Sequence, residues 1–240
     1  MINITKRTEL MFAQAVALAQ NGKMKSHIHA EGNVLFIANM DNTLLFRFET
    51  DQTFPAPGLN FFANDYVGPD LEMTNDAVTF ITTRAGYTQR KTCGLPKTTF
   101  AEMQAIWEKH QATLEYPIML KRDLLTLLDS DLSHTEVYND HGNLKLIQRN
   151  IFTGATIEVV DASNKGGFFS MCTFPPDYTC MGIRTSDFQA LFQFATGITF
   201  YLQPGAFWIR FRDPTGTVNG ILAGCIYDEI GYLTDTFGGK

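Results

Sequence analysis

His27 and His29 stand two apart in SHIHA, a stretch that reads as a strand, so their imidazoles share a face and offer two nitrogen ligands to a metal. No third ligand lies nearby in the sequence. The pair therefore reads as the polar face of an exposed strand, and no metal is expected. Asp129 and Asp131 fall in a helical pattern and would hold a magnesium ion only with a partner the sequence does not provide. Asp140, His141 and Asn143 surround a DHG turn and read as turn residues. The four cysteines, Cys93, Cys172, Cys180 and Cys225, form no CxxC. None has the neighbouring histidine or basic cluster that would make it a nucleophile, so they read as reduced thiols. No phosphate-binding glycine loop, GxSxG, HExxH or dinucleotide fingerprint occurs. No catalytic residue is assigned, no cofactor is expected, and the chain does not read as an enzyme.

The elements that carry these residues are rich in strands. The 240 residues are 45% apolar and 18% charged, enough for one large or two modest domains with a real core. Twenty phenylalanines favour sheet packing over a helical bundle. A formal charge of −6 argues against a broad basic surface that grips nucleic acid, so any such contact has to be local or topological. No run of eighteen uncharged apolar residues occurs, and MINITKRTEL has no apolar stretch behind its basic pair. Neither a membrane span nor a signal peptide is expected.

One order of elements, strand–helix–strand–strand–strand, recurs four times. Residues 1–50 supply MINI, the helix KRTELMFAQAVALAQ, KSHIHAE, a GN turn, VLFIANM, a DN turn and TLLFRFET. Residues 58–93 supply a compressed version: GLNFF, a short helix near ANDYVG, LEMT, AVTFITT, an AG turn and YTQRKTC. Residues 115–161 supply EYPIML, the helix KRDLLTLLDSDL, HTEVYND, NLKLIQRN and ATIEVVD. The last unit runs YTCMGI, RTSDFQALFQFA, the hairpin ITFYLQPGAFWIRFR and a strand at 220–227. In the first helix Met11, Phe12, Ala15, Val16, Leu18 and Ala19 share a face opposite Lys6, Arg7 and Gln14. In the last, Phe188, Leu191, Phe192 and Ala195 oppose Ser186, Gln189 and Gln193. Each helix should therefore lie on a sheet with its other face wet. A more polar stretch, GLPKTTFAEMQAIWEKHQATLE (94–115), reads as a connector between domains at 1–93 and 116–240. Within it Trp107 is either a staple to a sheet or part of a pocket rim.

This arrangement resembles the DNA sliding clamps, and most nearly the trimeric polymerase clamps of tailed bacteriophages. NITKRTELMFAQAVALAQNGKMKS looks like a clamp's first strand and helix, and NVLFIANMDNTLLFRFETD like its first sheet. The turn Gln203-Pro204-Gly205 before FWIRF looks like the hairpin at the matching place in the phage clamps. The resemblance implies an α+β clamp fold of two similar domains, each of two such units, with helices lining a ring and sheets outside. It also implies a homotrimer, because rings of this family contain six domains and the chain supplies two.

Further expectations follow from the resemblance. Edge strands should pair between subunits through Tyr87, Gln89, Arg90 and Lys91 on one side and Thr156, Glu158, Val160 and Asp161 on the other. Duplex DNA should be touched without regard to sequence by Lys6, Arg7, Lys23, Lys25, Lys121, Arg122 and Arg184. This lining is sparse, and the wet faces also carry Asp123 and Asp129, so attraction should be weak and residence topological. Short peptides of a DNA polymerase and an ATP-dependent clamp loader should dock in a pocket formed by Met40, Leu44, Leu114, Ile230, Tyr232 and Leu233. The expected location is the cytoplasm, that of the host for a viral protein. Two other readings stay open: a monomeric clamp-like accessory subunit, and a non-enzymatic viral β-rich structural or carbohydrate-binding protein.

Overall fold

Thr5 stops the chain's first strand and starts its first helix. Its hydroxyl accepts the Thr8 N–H at 3.2 Å and donates to Asp51 Oδ1 at 2.7 Å, satisfying one orphan donor of the helix end. The computed structural model describes residues 2–21, 26–74, 76–110, 114–150, 153–160, 174–178, 180–194, 197–203, 206–213, 216–227 and 233–235. They divide into two compact units, Met1–Lys109 with Pro214–Val218, and His110–Asp213 with Asn219–Lys240.

The first unit runs β1 (Ile2–Asn3), α1 (Lys6–Asn21), β2 (Ser26–Asn39), β3 (Leu44–Phe62), β4 (Asp70–Met73), β5 (Ala77–Arg84), β6 (Tyr87–Gly94) and α2 (Phe100–Lys109). β1, β4, β5 and β6 form one antiparallel sheet in that order, and β2 pairs with β3 along most of its length. Met11, Phe12 and Ala15 of α1 are buried, and Phe12 packs edge-on against Phe61 and Tyr66 at 5.2 and 5.4 Å. Phe61 and Phe80, 5.0 Å apart, carry that cluster onto β5.

The second unit runs β7 (Pro117–Lys121), β8 (His134–Asp140), β9 (Asn143–Arg149), β10 (Thr156–Val160), β11 (Cys180–Arg184), α3 (Thr185–Phe194), β12 (Gly197–Gln203), β13 (Ala206–Asp213), β14 (Gly216–Ala223), β15 (Cys225–Tyr227) and β16 (Leu233–Asp235). One sheet has the order β10-β9-β8-β11-β15-β16, and β7, β12, β13 and β14 lie side by side in that order. Phe188 of α3 meets Phe192 at 5.4 Å and Phe200 of β12 at 5.9 Å, which seats the helix. No helix among the described residues is long and apolar enough to cross a membrane.

Several elements differ from the sequence reading. The GN pair at 32–33 is not a hairpin turn. Gly32, at φ +58°, is a bulge within β2 where the register to β3 shifts, and the strand continues on both sides. GLNFF is not a separate strand but the far half of β3, reached through Pro55 and Pro57. Two expected helices shrink to 3-10 turns, Ala63–Asp65 and Arg122–Leu127. In the latter Thr126 donates to the Asp123 carbonyl at 2.7 Å, and Gln148 Oε1 takes the Asp129 N–H at 2.7 Å. Asp129 Oδ1 then accepts the Asp131 N–H at 2.9 Å. Such local side-chain bonds compete with helix continuation, so the two aspartates lie in a turn beyond the helical stretch and not on it.

Candidate subunit edges, basic junctions and partner groove

β6 and β10 are edge strands of their sheets. β5 and β6 are joined by Ala85 and Gly86, at φ 50° and 81°, a two-residue turn whose flanking residues Arg84 and Tyr87 exchange both backbone hydrogen bonds. Counting by twos, Gln89, Lys91 and Cys93 also bond to β5. Thr88, Arg90 and Thr92 turn their backbone N–H and C=O groups outward. In β10 the parity is set by Asn150 N–H donating to the Ala155 carbonyl at 2.8 Å. Ile157 and Val159 therefore bond to β9, and Thr156, Glu158 and Val160 face outward. Each edge thus presents three unpaired residues spaced by two.

The charges on these edges are engaged within their own units. Arg90 contacts Glu72, Lys91 Nζ lies 3.0 Å from Asp65 Oδ1, and Lys145 Nζ lies 2.8 Å from Glu158 Oε2. Tyr87, 82% exposed, and Val160 are the large apolar side chains left outside on these strands. Asp161 lies outside the described residues. Thr88 and Thr92 were missed from the sequence, although the AG turn holds the signal. A two-residue hairpin fixes which residues face out.

The basic residues share a local position. Lys6 and Arg7 are exposed at the start of α1, Arg122 is exposed at the start of its 3-10 turn, and Arg184 ends β11 just before α3. Lys121 ends β7, and Lys23 and Lys25 lie outside the described residues. A cation beside the positive end of a helix costs about 0.3–1 kcal/mol, so these positions do not serve helix stability. Arg7 acts electrostatically on Asp51, whose carboxyl is held below its ordinary range first by the Thr5 hydroxyl.

α2 begins with a capping box. Thr99 Oγ1 accepts the Glu102 N–H at 3.3 Å, and Glu102 Oε2 accepts the Thr99 N–H at 2.6 Å. Met103 and Trp107 are buried, and Phe36 of β2 meets Phe100 at 5.3 Å and Trp107 at 6.0 Å. The Arg47 guanidinium sits 5.8 Å over the Trp107 ring. Trp107 is therefore the staple that holds α2 to the β2–β3 sheet. Between α2 and the turn after Asn39 runs a groove of about 430 Å3, lined by Asn42, Lys97, Thr98, Glu102, Met103 and Ile106. Met40 is exposed on that turn, whereas Leu44 is buried in the core. Leu114, in the second unit, is exposed at φ 57°. Leu233 opens β16 opposite Tyr227, and Ile230 and Tyr232 lie outside the described residues. Of the groove-lining residues, Asn42 lies in the loop after Met40 where the pocket was expected, and those of α2 were not assigned to it.

His27 and His29 are buried, correcting the expectation of an exposed polar face. Their parity sets them opposite Ser26 and Ile28, the side on which Ser26 Oγ donates to the Ala15 carbonyl of α1. His27 Nδ1 lies 2.5 Å from His29 Nε2. Two nitrogens bound to one tetrahedral metal at about 2.0–2.1 Å would stand ~3.3 Å apart, so the pair is too close to share one. Among the described residues no three His, Cys, Asp or Glu gather as a metal site. Burial raises the Cys93 thiol and pushes Cys180 up to about 11, so neither is poised as a thiolate.

Two solved structures share this architecture. Proliferating cellular nuclear antigen from Entamoeba histolytica matches with a TM-score of 0.50 and 12% identity, over 89% of this chain and 94% of that one. The PCNA2–PCNA3 complex of Sulfolobus tokodaii matches with a TM-score of 0.53 and 8% identity, over 93% and 98%. The chain has the α+β fold of the DNA sliding clamps. No family profile and no curated protein sequence matches it.

Proposed function

We propose that this protein is a DNA sliding clamp of the tailed-phage kind, a processivity factor that encircles duplex DNA as a homotrimer. It would hold a DNA polymerase and an ATP-driven clamp loader through short peptides and catalyse nothing itself. In this reading 94–115 connects clamp domains at 1–93 and 116–240, and the setting is the cytoplasm of the host. The carrying observation is the pair of matched edges. Set antiparallel, Thr88, Arg90 and Thr92 of one copy face Val160, Glu158 and Thr156 of the next, with Arg90 opposite Glu158. Up to six backbone hydrogen bonds would then close each interface, and both exposed edges disappear. The basic strand–helix junctions support DNA contact through phosphates, since their cations stand against the local helix dipoles. The groove between α2 and the Met40 turn, bordered by Met103 and Ile106, suits a peptide with apolar anchors.

A monomeric accessory subunit is the second reading. The intrachain partners of Arg90, Lys91 and Glu158 favour it, because these charges do not require another copy. The solution mass decides between them. Sedimentation at micromolar concentration should give three times the 26.9 kDa chain mass. A monomer at every accessible concentration rules out the ring.

A further inference from the structure

Behind the turn that borders the α2 groove lies the buried histidine pair, and its hydrogen bonds do not close for two neutral rings as they stand. His27 Nε2 lies 3.0 Å from the Asn39 carbonyl, which can only accept, so that nitrogen carries a proton. His29 Nδ1 lies 2.7 Å from Asn60 Oδ1, which also accepts, so that nitrogen carries one too. The two inner nitrogens, 2.5 Å apart, would then confront each other as lone pairs. A third proton between them closes the chain, and the pair carries one positive charge. A half-turn of the Asn60 amide closes it differently. The Asn60 NH2 group donates to His29 Nδ1, His29 Nε2–H donates to His27 Nδ1, and the pair is neutral with every group satisfied. Proton count and amide orientation therefore change together.

We propose that His27, His29 and Asn60 form a one-proton switch that sets the hold on the turn Asn39–Leu44, and with it one wall of the α2 groove. The coupling runs through one atom. The Asn39 carbonyl accepts from His27 and also from the Asn42 N–H, at 3.0 Å, which closes the turn. The Asn39 side chain accepts the Leu44 N–H at 3.0 Å and donates to Thr43 Oγ1 at 2.7 Å. Asn42 interacts with His27 and lines the groove. When the pair is charged, the bond from His27 to Asn39 becomes charge-assisted and stronger, and the turn is held more tightly.

β3 faces the rings with Asn60, and the turn faces them with the Asn39 carbonyl and Asn42. Glu31 of β2 is engaged with the Gly58 N–H, and Arg47 of β3 lies over Trp107. The turn also carries Asp41, and the charge of His27 acts on His29. Burial pushes both rings below their ordinary range, His29 to about 3, so the switch charges on the acid side. The consequence for partners rests on reading the groove as a docking site, but the switch itself does not.

The test is an NMR titration of the full chain with 15N-labelled histidine from pH 8 to 4, following the ring nitrogens and the backbone amides of 39–44. The expected result is a single proton uptake below pH 6.5, seen by both rings, with the Asn42 and Leu44 amides shifting at the same midpoint. Asn60→Asp supplies a carboxylate that only accepts and attracts the charge, so it should move that midpoint up by about 1–3 pH units. Two rings titrating independently near 6.5, or turn amides silent through the step, would overturn the proposal. So would an Asn60→Asp midpoint that does not move. The wild-type titration decides the matter even if the variant fails to fold. The readouts are rings and turn, so a groove that binds no peptide leaves this result intact.

Discussion

Replacing Glu158 by proline should break the assembly while sparing the subunit. In β10 the Glu158 N–H points away from β9, so the substitution removes no bond of the Ile157 and Val159 ladder. Proline is tolerated at edge positions whose N–H faces out, and Ile157 before it is already extended. Within the chain the loss is the Lys145–Glu158 ion pair, 2.8 Å long and half exposed at the glutamate, a contribution of about 0–1 kcal/mol. Melting should therefore stay within a few degrees of the parent.

Across the proposed interface the change is much larger. One hydrogen bond disappears, worth about 1 kcal/mol net, and the facing carbonyl is left without a donor in a closed contact, a further ~1–3 kcal/mol. The sum is about 2–4 kcal/mol per interface, or roughly a 30- to 1,000-fold weaker contact. Sedimentation at micromolar concentration should show wild type as a trimer and Glu158→Pro as a monomer with an unchanged circular dichroism spectrum. Ile157→Pro is the contrast, because it removes a ladder bond to β9 and should lower the melting point as well. A Glu158→Pro trimer at the concentration where wild type is also trimeric would show that this edge does not pair.

Three other outcomes are expected. Arg90→Glu should weaken assembly by a few-fold at low salt, and adding Glu158→Arg should recover part of it, both effects fading at high salt because exposed pairs contribute only about 0–1 kcal/mol; a double variant no better than the single one would remove Arg90 from opposite Glu158. Binding to short linear duplexes should be weak and salt-sensitive, while protein loaded on circular DNA should stay until the circle is cut; tight, salt-resistant binding to linear duplex would contradict the sparse basic lining. Both buried histidines lie below the ordinary value of 6.5 in the folded chain, so on acidification the unfolded chain takes up their protons first. Stability should be full above about pH 6.5 and fall toward pH 3. His29 alone removes on the order of 2 kcal/mol between pH 8 and pH 5, and denaturant titrations of His27→Gln/His29→Gln should show a flatter slope.

How much of this was legible depended on the range of the interaction involved. The DN, AG and DHG turns were readable because a tight turn is decided by three or four residues. So were α1 and α3, whose apolar stripes at Phe12 and Phe188 repeat over ten residues or more. Gly32 shows the limit. GN reads as a hairpin turn in isolation, but β3 is long enough to pair on both sides of it, and the ladder turns the same glycine into a bulge. The Leu-rich run at 122–128 fails as a full helix for a similar reason. Gln148, nineteen residues away on β9, claims the backbone at Asp129. The histidines were misplaced because alternation tells which residues share a face, not what covers that face. Asn39 and Asn60, the groups that bury them, come from other parts of the fold.

The residues with chemical capacity and the residues with functional meaning are largely different sets in this protein. Cys93 and Cys180 have raised thiols, the histidines are buried against each other, and Asp129 and Asp131 close a turn. The backbone also has open edges: β6 and β10, each with three outward residues, are two of the six edge strands among the described sheets. Open edges can pair with another chain, and charges such as Arg90, Lys91 and Glu158 restrict which chain can do so. The outward residues of the two edges are threonine, one arginine, one glutamate and one valine, a set that fits an antiparallel partner of complementary sign. In the proposed assembly each such edge would be closed by another copy, and one edge in each unit is what a head-to-tail ring requires. In the proposed ring the exposed arginines at the helix starts would repeat from copy to copy, so each contact with DNA would need only to be weak.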